Sequence, residues 1–109
     1  MNRKVQQRYE ARARVLKALA HPSRLLIVDE LARRERCVCE LQQMVGADMS
    51  TVSKHLSVLR NAGLVADERR GAQVYYRLRI PCTTEFFDCL AALMHSAAAE
   101  QSELAAMRS

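Results

Sequence analysis

The segment from Met49 to Val65 constrains the fold more than any other part of this chain. Ser50 is a residue type that caps helix N-termini, and Gly63 readily adopts the left-handed conformation that ends a helix. Between them, apolar residues recur at helical spacing on one side, namely Val52, Leu56 and Leu59. This periodicity predicts a single amphipathic helix whose apolar side faces a core.

The other side of this predicted helix carries short polar and cationic side chains. They are Ser50, Thr51, Ser53, Lys54 and His55. Side chains of these types bind base edges and phosphates when a helix lies in the major groove of DNA. The pattern is therefore typical of the second helix of a helix-turn-helix, although an ordinary amphipathic surface helix has the same pattern.

A predicted β-hairpin follows this helix directly, from Leu64 to Leu78. Every second residue of its outgoing strand is apolar, as in a half-buried strand, and Arg70-Gly71-Ala72 supplies a tight turn. The residues near its tip that we expect to meet phosphates or the minor groove are Arg69, Arg70 and Gln73. A DNA-reading helix followed by a basic hairpin is the arrangement of a winged helix, so double-stranded operator DNA is the predicted partner.

Helices are also predicted on both sides of this unit. A first helix bears an apolar stripe and many arginines, and His21-Pro22-Ser23 separates it from a second helix. A short third helix spans roughly Glu40 to Val45, and a last helix follows Pro81. No repeat, linker or shift in composition divides the chain, which predicts one domain over residues 1–109. The predicted fold is mainly α with a two-stranded β-wing, a winged helix-turn-helix in the order ααααββα.

The first and last helices carry more apolar surface than a small core can cover. The residues concerned are Val5, Tyr9, Phe86, Phe87, Leu90, Leu93 and Met94. A chain of about a hundred residues buries only a modest core, so pairing would add useful apolar burial. An operator read by two helices about one DNA turn apart also requires a twofold partner. These residues are therefore predicted to form the interface of a homodimer.

Composition narrows the class of protein. The net charge of +5 and the isoelectric point near 9.4 favour a polyanionic partner. No apolar stretch approaches the roughly 20 residues of a membrane span, and no signal-peptide core follows the basic N-terminus, so we expect a cytoplasmic protein without membrane contact. The chain has no phosphate-binding glycine loop and no acid–base pair in a recognisable arrangement, so we do not expect an enzyme.

Several short motifs together resemble the ArsR/SmtB family of metal-responsive repressors. They are Ala20-His21-Pro22-Ser23-Arg24-Leu25, Cys37-Val38-Cys39-Glu40-Leu41, Ser53-Lys54-His55-Leu56, Ala62-Gly63-Leu64-Val65 and Tyr75-Tyr76-Arg77-Leu78. The resemblance covers most of the chain. It implies a homodimer, paired through its first and last helices, that represses transcription when ligand-free and leaves its operator when an inducer binds. Similarity to the arsenic-responsive members implies arsenite or antimonite as that inducer.

Cys37 and Cys39 are the residues predicted to bind the inducer. Cytoplasmic thiols stay mostly reduced, and thiolates are soft ligands that select soft ions. Residues two apart in a regular helix point to nearly opposite sides, so both sulfurs reach one ion only if this turn is distorted or non-helical. Family members that sense arsenite often have a third cysteine where this chain has Gln42. The third metal ligand is therefore predicted to be Cys82 or Cys89, or else a small external thiol.

Two other interpretations of the cysteines stay open. A repressor of the same fold can instead sense oxidants or persulfides by converting a thiolate pair into a covalent link. A single thiol can also be a small buried hydrophobe. That interpretation suits Cys89, because Phe86 and Leu93 lie on the same side of its helix.

Overall fold

Five helices and three strands make up residues 1–80 and 83–108, which the computed structural model describes. In chain order they are α1 (Arg3–Leu19), α2 (Pro22–Arg33), β1 (Arg36–Cys37), α3 (Val38–Val45), α4 (Met49–Asn61), β2 (Val65–Arg70), β3 (Gln73–Leu78) and α5 (Thr83–Arg108). This is the predicted winged helix-turn-helix, with one short strand added before α3. No helix in these residues is long and apolar enough to span a membrane.

The start of α4 is set by Asp48, so the assignment of Ser50 as its cap is wrong. Asp48 has an extended backbone, and its carboxylate accepts the N–H of Thr51 at 2.8 Å. Ser50 already lies inside the first turn and donates its hydroxyl to the same carboxylate at 2.9 Å. These hydrogen bonds lower the pKa of Asp48, and the bond from Thr51 has the largest effect. An ionised cap is also favoured by the helix dipole, which explains why the carboxylate takes the cap position.

The end of α4 leads directly into the wing. Gly63 has a φ of +81°, and its N–H donates to the carbonyl of Arg60 at 3.0 Å. The N–H of Leu64 donates to the carbonyl of Leu59, also at 3.0 Å. These two bonds form a Schellman motif, so the predicted role of Gly63 in ending the helix is confirmed.

β2 and β3 form the predicted wing. They pair antiparallel, with Val65 opposite Leu78 at the base and Arg70 opposite Gln73 at the tip. Gly71 turns the chain between them with a φ of +63°, a conformation in which other residues are strained. The hairpin and its turn are therefore where the sequence predicts them.

β1 is the element that the sequence does not predict. It pairs antiparallel with the free edge of β3, which places Cys37 opposite Tyr75. A strand of two residues is too short to show a period of two, so no sequence pattern indicates it. Because β1 leads straight into α3, that helix begins at Val38, two residues before the predicted start at Glu40.

The core lies where α2, α3, α4 and the sheet meet. Its fully buried side chains are Ile27, Val28, Leu41, Val52, Leu56, Leu59 and Val65. Burial of an aliphatic side chain of this kind contributes roughly 1.5–3 kcal/mol. α1 adds Leu19 to this cluster and α5 adds only the half-buried Phe87, so both terminal helices keep much of their apolar surface exposed.

Candidate nucleic-acid interface and thiol site

The outer face of α4 presents the predicted base-reading side chains to solvent. Exposed residues on it are Ser50, Thr51, Ser53 and Lys54. The opposite face is anchored in the core by Val52, Leu56 and Leu59, as predicted. The helix can therefore enter a DNA groove without losing any packing.

His55 differs from these neighbours on α4 because it is half-buried. Its ring packs against that of His21, the N-cap of α2, with ring centres 4.4 Å apart. His21 is itself fixed, because its Nδ1 accepts the N–H of Ser23 at 3.1 Å. Burial, followed by the nearby charges of His21 and Arg24, lowers the pKa of His55 below its ordinary value of 6.5. His55 therefore has a packing role between α2 and α4 besides its predicted role at DNA.

The tip of the wing carries an arginine that already has acidic partners. Arg70 donates to Glu35 at 2.7 Å and to Glu68 at 3.0 Å, and its guanidinium lies 4.6 Å from the centre of the Tyr75 ring. The hydrogen bond to Glu68, and after it the bond to Glu35, raise the pKa of Arg70. These carboxylates would compete with a phosphate for Arg70, whereas the neighbouring Arg69 is exposed and pairs with no carboxylate in the described part of the chain. Sequence reasoning missed Glu35, which is far from Arg70 in the chain.

The two predicted thiol ligands lie at a junction between strand and helix. Cys37 ends β1, caps α3 with φ −76° and ψ 158°, and is buried. Cys39 lies in the first turn of α3 and is exposed. The backbone of Cys37 is extended and not helical, which is the condition predicted for both sulfurs to reach one ion. The two side chains also have different surroundings, as their spacing predicts.

Charged side chains surround the start of α3. Glu40 accepts the N–H of Cys37 at 3.3 Å and pairs with Arg36 at 2.9 Å and with Arg34 at 3.5 Å. Arg36 also pairs with Glu30 of α2 at 3.3 Å. The bond from Arg36 is the main cause that lowers the pKa of Glu40. This network ties the start of α3 to α2, so a displacement of Cys37 would disturb both helices.

Cys39 also contacts the wing. Its Sγ donates to Oε1 of Gln73 at 3.4 Å. Gln73, a predicted DNA contact, stands opposite Arg70 at the tip of the hairpin. A thiol is a weak donor, so the bond adds little stability. Its importance is that it places a reactive group beside the wing.

The third thiol ligand stays a prediction. Cys82 lies outside the described residues. Cys89 is exposed on α5 in the single chain, so it is not part of the buried core of one protomer. Within residues 1–80 and 83–108, no group of three or more histidine, cysteine, aspartate or glutamate side chains is placed to hold a metal ion. Cys37 and Cys39 are therefore two thiols that lie close in sequence, without a third donor of these types placed beside them in the described residues.

The helices packed around α4, followed by an antiparallel hairpin, define a winged helix-turn-helix protein. Residues 21–67, from the cap of α2 into β2, match the family described as bacterial regulatory protein, arsR family. Together with the relatives below, this match shows that the chain belongs to the arsR family. The matched region contains both Cys37 and Cys39 as well as all of α4.

A mycobacterial regulator is similar over most of both chains. The chain is 41% identical over 78 residues to the uncharacterized HTH-type transcriptional regulator Rv0081 of Mycobacterium tuberculosis. The matched region covers 71% of this chain and 68% of that protein. The crystal structure of Rv0081 gives a TM-score of 0.78 at 34% identity, over 85% of this chain and 94% of that one. The structure of a homodimeric winged helix-turn-helix domain, Mb0332 of Mycobacterium bovis, gives a TM-score of 0.79 at 30% identity. That match covers 92% of this chain and 93% of the Mb0332 chain.

A named repressor is similar over a shorter region. The biofilm growth-associated repressor of Xylella fastidiosa is 44% identical over 66 residues, which cover 61% of this chain and 58% of that protein. The match thus spans little more than half the length of that relative.

Proposed function

We propose that this protein is a homodimeric transcriptional repressor that binds operator DNA through α4 and the wing and is released when an inducer binds its thiols. The observation that carries DNA binding is the exposed polar face of α4 beside the hairpin. That face includes Thr51, Ser53 and Lys54, all exposed on a helix anchored by buried leucines. The named repressor among the relatives supports the direction of regulation. The protein would act by binding and not by catalysis.

The terminal helices support the proposed homodimer. The exposed fraction is 66% for Leu93 and 70% for Met94 on α5, and 52% for Tyr9 on α1. Phe86 is also exposed, while Val5, Phe87 and Leu90 are half-buried. Isolated domains rarely leave so continuous an apolar surface in water. Two copies joined through these helices would present two α4 helices to an operator, and the related Mb0332 domain is homodimeric.

The proposed inducer is arsenite or antimonite. Cys37 and Cys39 would supply two thiolates, which are soft ligands suited to such an ion. The third thiolate would come from Cys82 or Cys89, in the same or the partner copy, or from a small external thiol. Because Cys37 is buried and Cys39 is exposed, we expect an ion that binds both sulfurs to move the start of α3.

Release from DNA would follow from that movement. The start of α3 is tied to Arg36 through Glu40 and to the wing through the bond from Cys39 to Gln73. α3 in turn leads into α4 through the short connection ending at the Asp48 cap. An ion held by both sulfurs would break the contact of Cys39 with Gln73 and shift the wing relative to α4. Both DNA-contacting elements would thus lose their DNA-binding arrangement.

A redox-sensing repressor is a second candidate, and the exposure of Cys39 favours it. A peroxide can oxidise an exposed thiolate to a sulfenic acid and leave as water or an alcohol. A second thiol then condenses with the sulfenic acid, forming a disulfide and releasing water. This chemistry needs two cysteines and no third ligand, which agrees with the described part of the chain.

DNA reading is tested by the double variant Ser53→Ala, Lys54→Ala. Its binding to a duplex from the chain's own promoter region and to a random duplex is measured by fluorescence anisotropy. Loss of base contacts should lower discrimination between the two duplexes by about 1 to 3 kcal/mol per contact. The matched control is Ser102→Ala, Lys4→Ala, which removes the same groups from α5 and α1. Unchanged discrimination in the α4 variant would remove the case for this helix.

A further inference from the structure

We propose that Arg14, Lys17 and Arg24 form a second phosphate-binding site, on the side of α4 away from the wing, that holds the DNA backbone. This group is called the cationic cleft below. The inference rests on the proposed DNA binding and adds to it a contact with the strand that the wing does not reach. Neither the helix-turn-helix pattern nor the basic hairpin indicates it.

The cleft is an open depression of about 390 Å³ between three helices. Arg14 and Lys17 line it from the C-terminal half of α1, and Arg24 lines it from the first turn of α2. Its third wall is the C-terminal half of α4, at Val58 and Asn61, together with Ala62, which caps that helix. Three cations from two separate helices thus converge beside the predicted DNA-reading helix.

The cleft and the wing lie on opposite flanks of α4. Arg60 marks the wing side, since it pairs with Asp67 of β2 at 3.1 Å. Val58 and Ala62 each lie two residues from Arg60, so they point to nearly the opposite side of the helix. Asn61 lies seven residues, or about two turns, beyond Lys54 and shares its outward face. The cleft therefore opens directly beside the face that would read bases.

The geometry of DNA requires a partner on each flank. The major groove is bounded by the two strands, so a helix lying in it has phosphates on both sides. The wing accounts for one side only. Cations at Arg14, Lys17 and Arg24 would lie on the other side, where they can neutralise phosphates and fix the tilt of the helix.

Charge pairing distinguishes the cleft from the wing. None of the ion pairs in residues 1–80 and 83–108 involves Arg14, Lys17 or Arg24. Arg70 at the wing tip, by contrast, pairs with two carboxylates. The cations of the cleft can therefore bind a phosphate without first giving up a carboxylate.

The distribution of charge along the chain points the same way. α1 holds six of the 17 lysines and arginines but only one of the 12 aspartates and glutamates. Its net charge of +5 equals that of the whole chain, because the remaining residues have eleven of each sign. The surplus charge that favours a polyanion is thus on α1, whose C-terminal half lines the cleft.

Arg24 is held in place for this role. One of its terminal nitrogens donates to the carbonyl of Ala18 at 3.1 Å. Its Nε is buried and has no hydrogen-bond partner in the described part of the chain. A guanidinium fixed by the backbone of α1 loses little freedom when it binds an anion.

The test compares two charge-matched double variants of the full chain. Arg14→Gln, Lys17→Gln removes two cations of the cleft, and Arg3→Gln, Lys4→Gln removes the same two residue types near the other end of α1. Binding to a duplex of about 30 base pairs from the chain's own promoter region is measured over a series of salt concentrations. Light scattering confirms that each variant keeps the mass of the wild-type protein. Titration of the DNA-free protein with inorganic phosphate is the second arm.

The cleft variant should bind DNA about tenfold more weakly at low salt. Its slope of log affinity against log salt concentration should become shallower by up to about 0.9 for each cation removed. The control should keep a slope close to that of the wild type. Equal losses in both variants, or no loss in the cleft variant, would overturn the cationic cleft as a DNA site. Tight binding of inorganic phosphate that the cleft variant loses, with unchanged DNA binding, would assign the cleft to a small anion and overturn it equally. Wild-type protein that fails to bind the duplex would instead overturn the proposed function itself.

Discussion

The thiol of Cys39 donates a hydrogen bond to the side-chain oxygen of Gln73 across 3.4 Å, joining the first turn of α3 to the wing. Its neighbour Cys37 is buried at the end of β1 and pairs with β3, the same strand that carries Gln73. Both thiols therefore contact elements that position the wing. A chemical change at either sulfur has a short path to the DNA-binding surface.

The first prediction concerns the reactivity of these two thiols. In a background with Cys82→Ser and Cys89→Ser, Cys39 should react with a thiol-specific disulfide reagent much faster than Cys37, because Cys39 is exposed and Cys37 is buried. The rates are measured on Cys37→Ser and Cys39→Ser versions of that background. Gln73→Ala should increase the rate at Cys39 by removing its hydrogen-bond partner. Equal rates for the two cysteines would contradict the described burial.

The second prediction concerns Glu35 and the wing arginine. Glu35→Gln should strengthen binding to DNA of any sequence, because it frees Arg70 from one carboxylate. The slope of the logarithm of affinity against the logarithm of salt concentration should become steeper. The increase should be that expected for about one additional phosphate contact in each protomer. Glu103→Gln, on the exposed far part of α5, makes the same change in net charge and serves as the control. If both variants gain equally, the ion pair between Glu35 and Arg70 does not restrain the wing.

Much of the DNA-reading unit could be predicted from sequence because its signals are local. The spacing of Val52, Leu56 and Leu59 fixes the buried face of α4 within one helix. Gly63 and Gly71 mark turns that need positive φ, and both glycines adopt it. Each of these features depends on neighbours in the chain, so no tertiary contact was needed to find it.

The features that escaped prediction depend on contacts between distant segments or on a choice between two adequate residues. β1 forms only because β3 offers it an edge, and that pairing buries Cys37 while leaving Cys39 exposed. The ion pair of Glu35 with Arg70 joins the connection between α2 and β1 to the end of β2, and no periodic pattern in the sequence indicates it. At the start of α4 two residues could serve as the cap, and the better acceptor, Asp48, took the position over Ser50.

The third prediction concerns pH. In the folded protein the pKa of His55 is lowered from 6.5, mainly by burial and then by the charges of His21 and Arg24. As the pH falls below 6.5, the unfolded chain therefore binds more protons at His55 than the folded chain does. The contribution of His55 to the free energy of unfolding should therefore be fully present above about pH 6.5. It should decrease as the pH falls from there towards the pKa of His55 in the folded protein. Denaturant titrations over that range measure it. His55→Gln should flatten this dependence, whereas His95→Gln on exposed α5 should leave it intact.

The fourth prediction concerns assembly. Leu93→Glu should convert the proposed dimer to a monomer, because it places a charge on an apolar face that is exposed in the single chain and that pairing would cover. Its far-ultraviolet circular dichroism should keep its helical signal, since Leu93 contributes nothing to the buried core. Operator affinity should fall together with the mass measured by light scattering. A variant that stays dimeric would assign the interface to another surface.

The thiol switch is tested most directly by release of the reduced protein from its own promoter DNA during titration with arsenite, followed by fluorescence anisotropy. Wild-type protein should be released, while Cys37→Ser and Cys39→Ser should each bind DNA as tightly as wild type and stay bound when arsenite is added. The loss of response in either Cys82→Ser or Cys89→Ser would identify the third ligand. Release by peroxide with no response to arsenite would favour the redox-sensing candidate. Arsenite-induced release that survives in the double variant Cys37→Ser, Cys39→Ser would contradict the account.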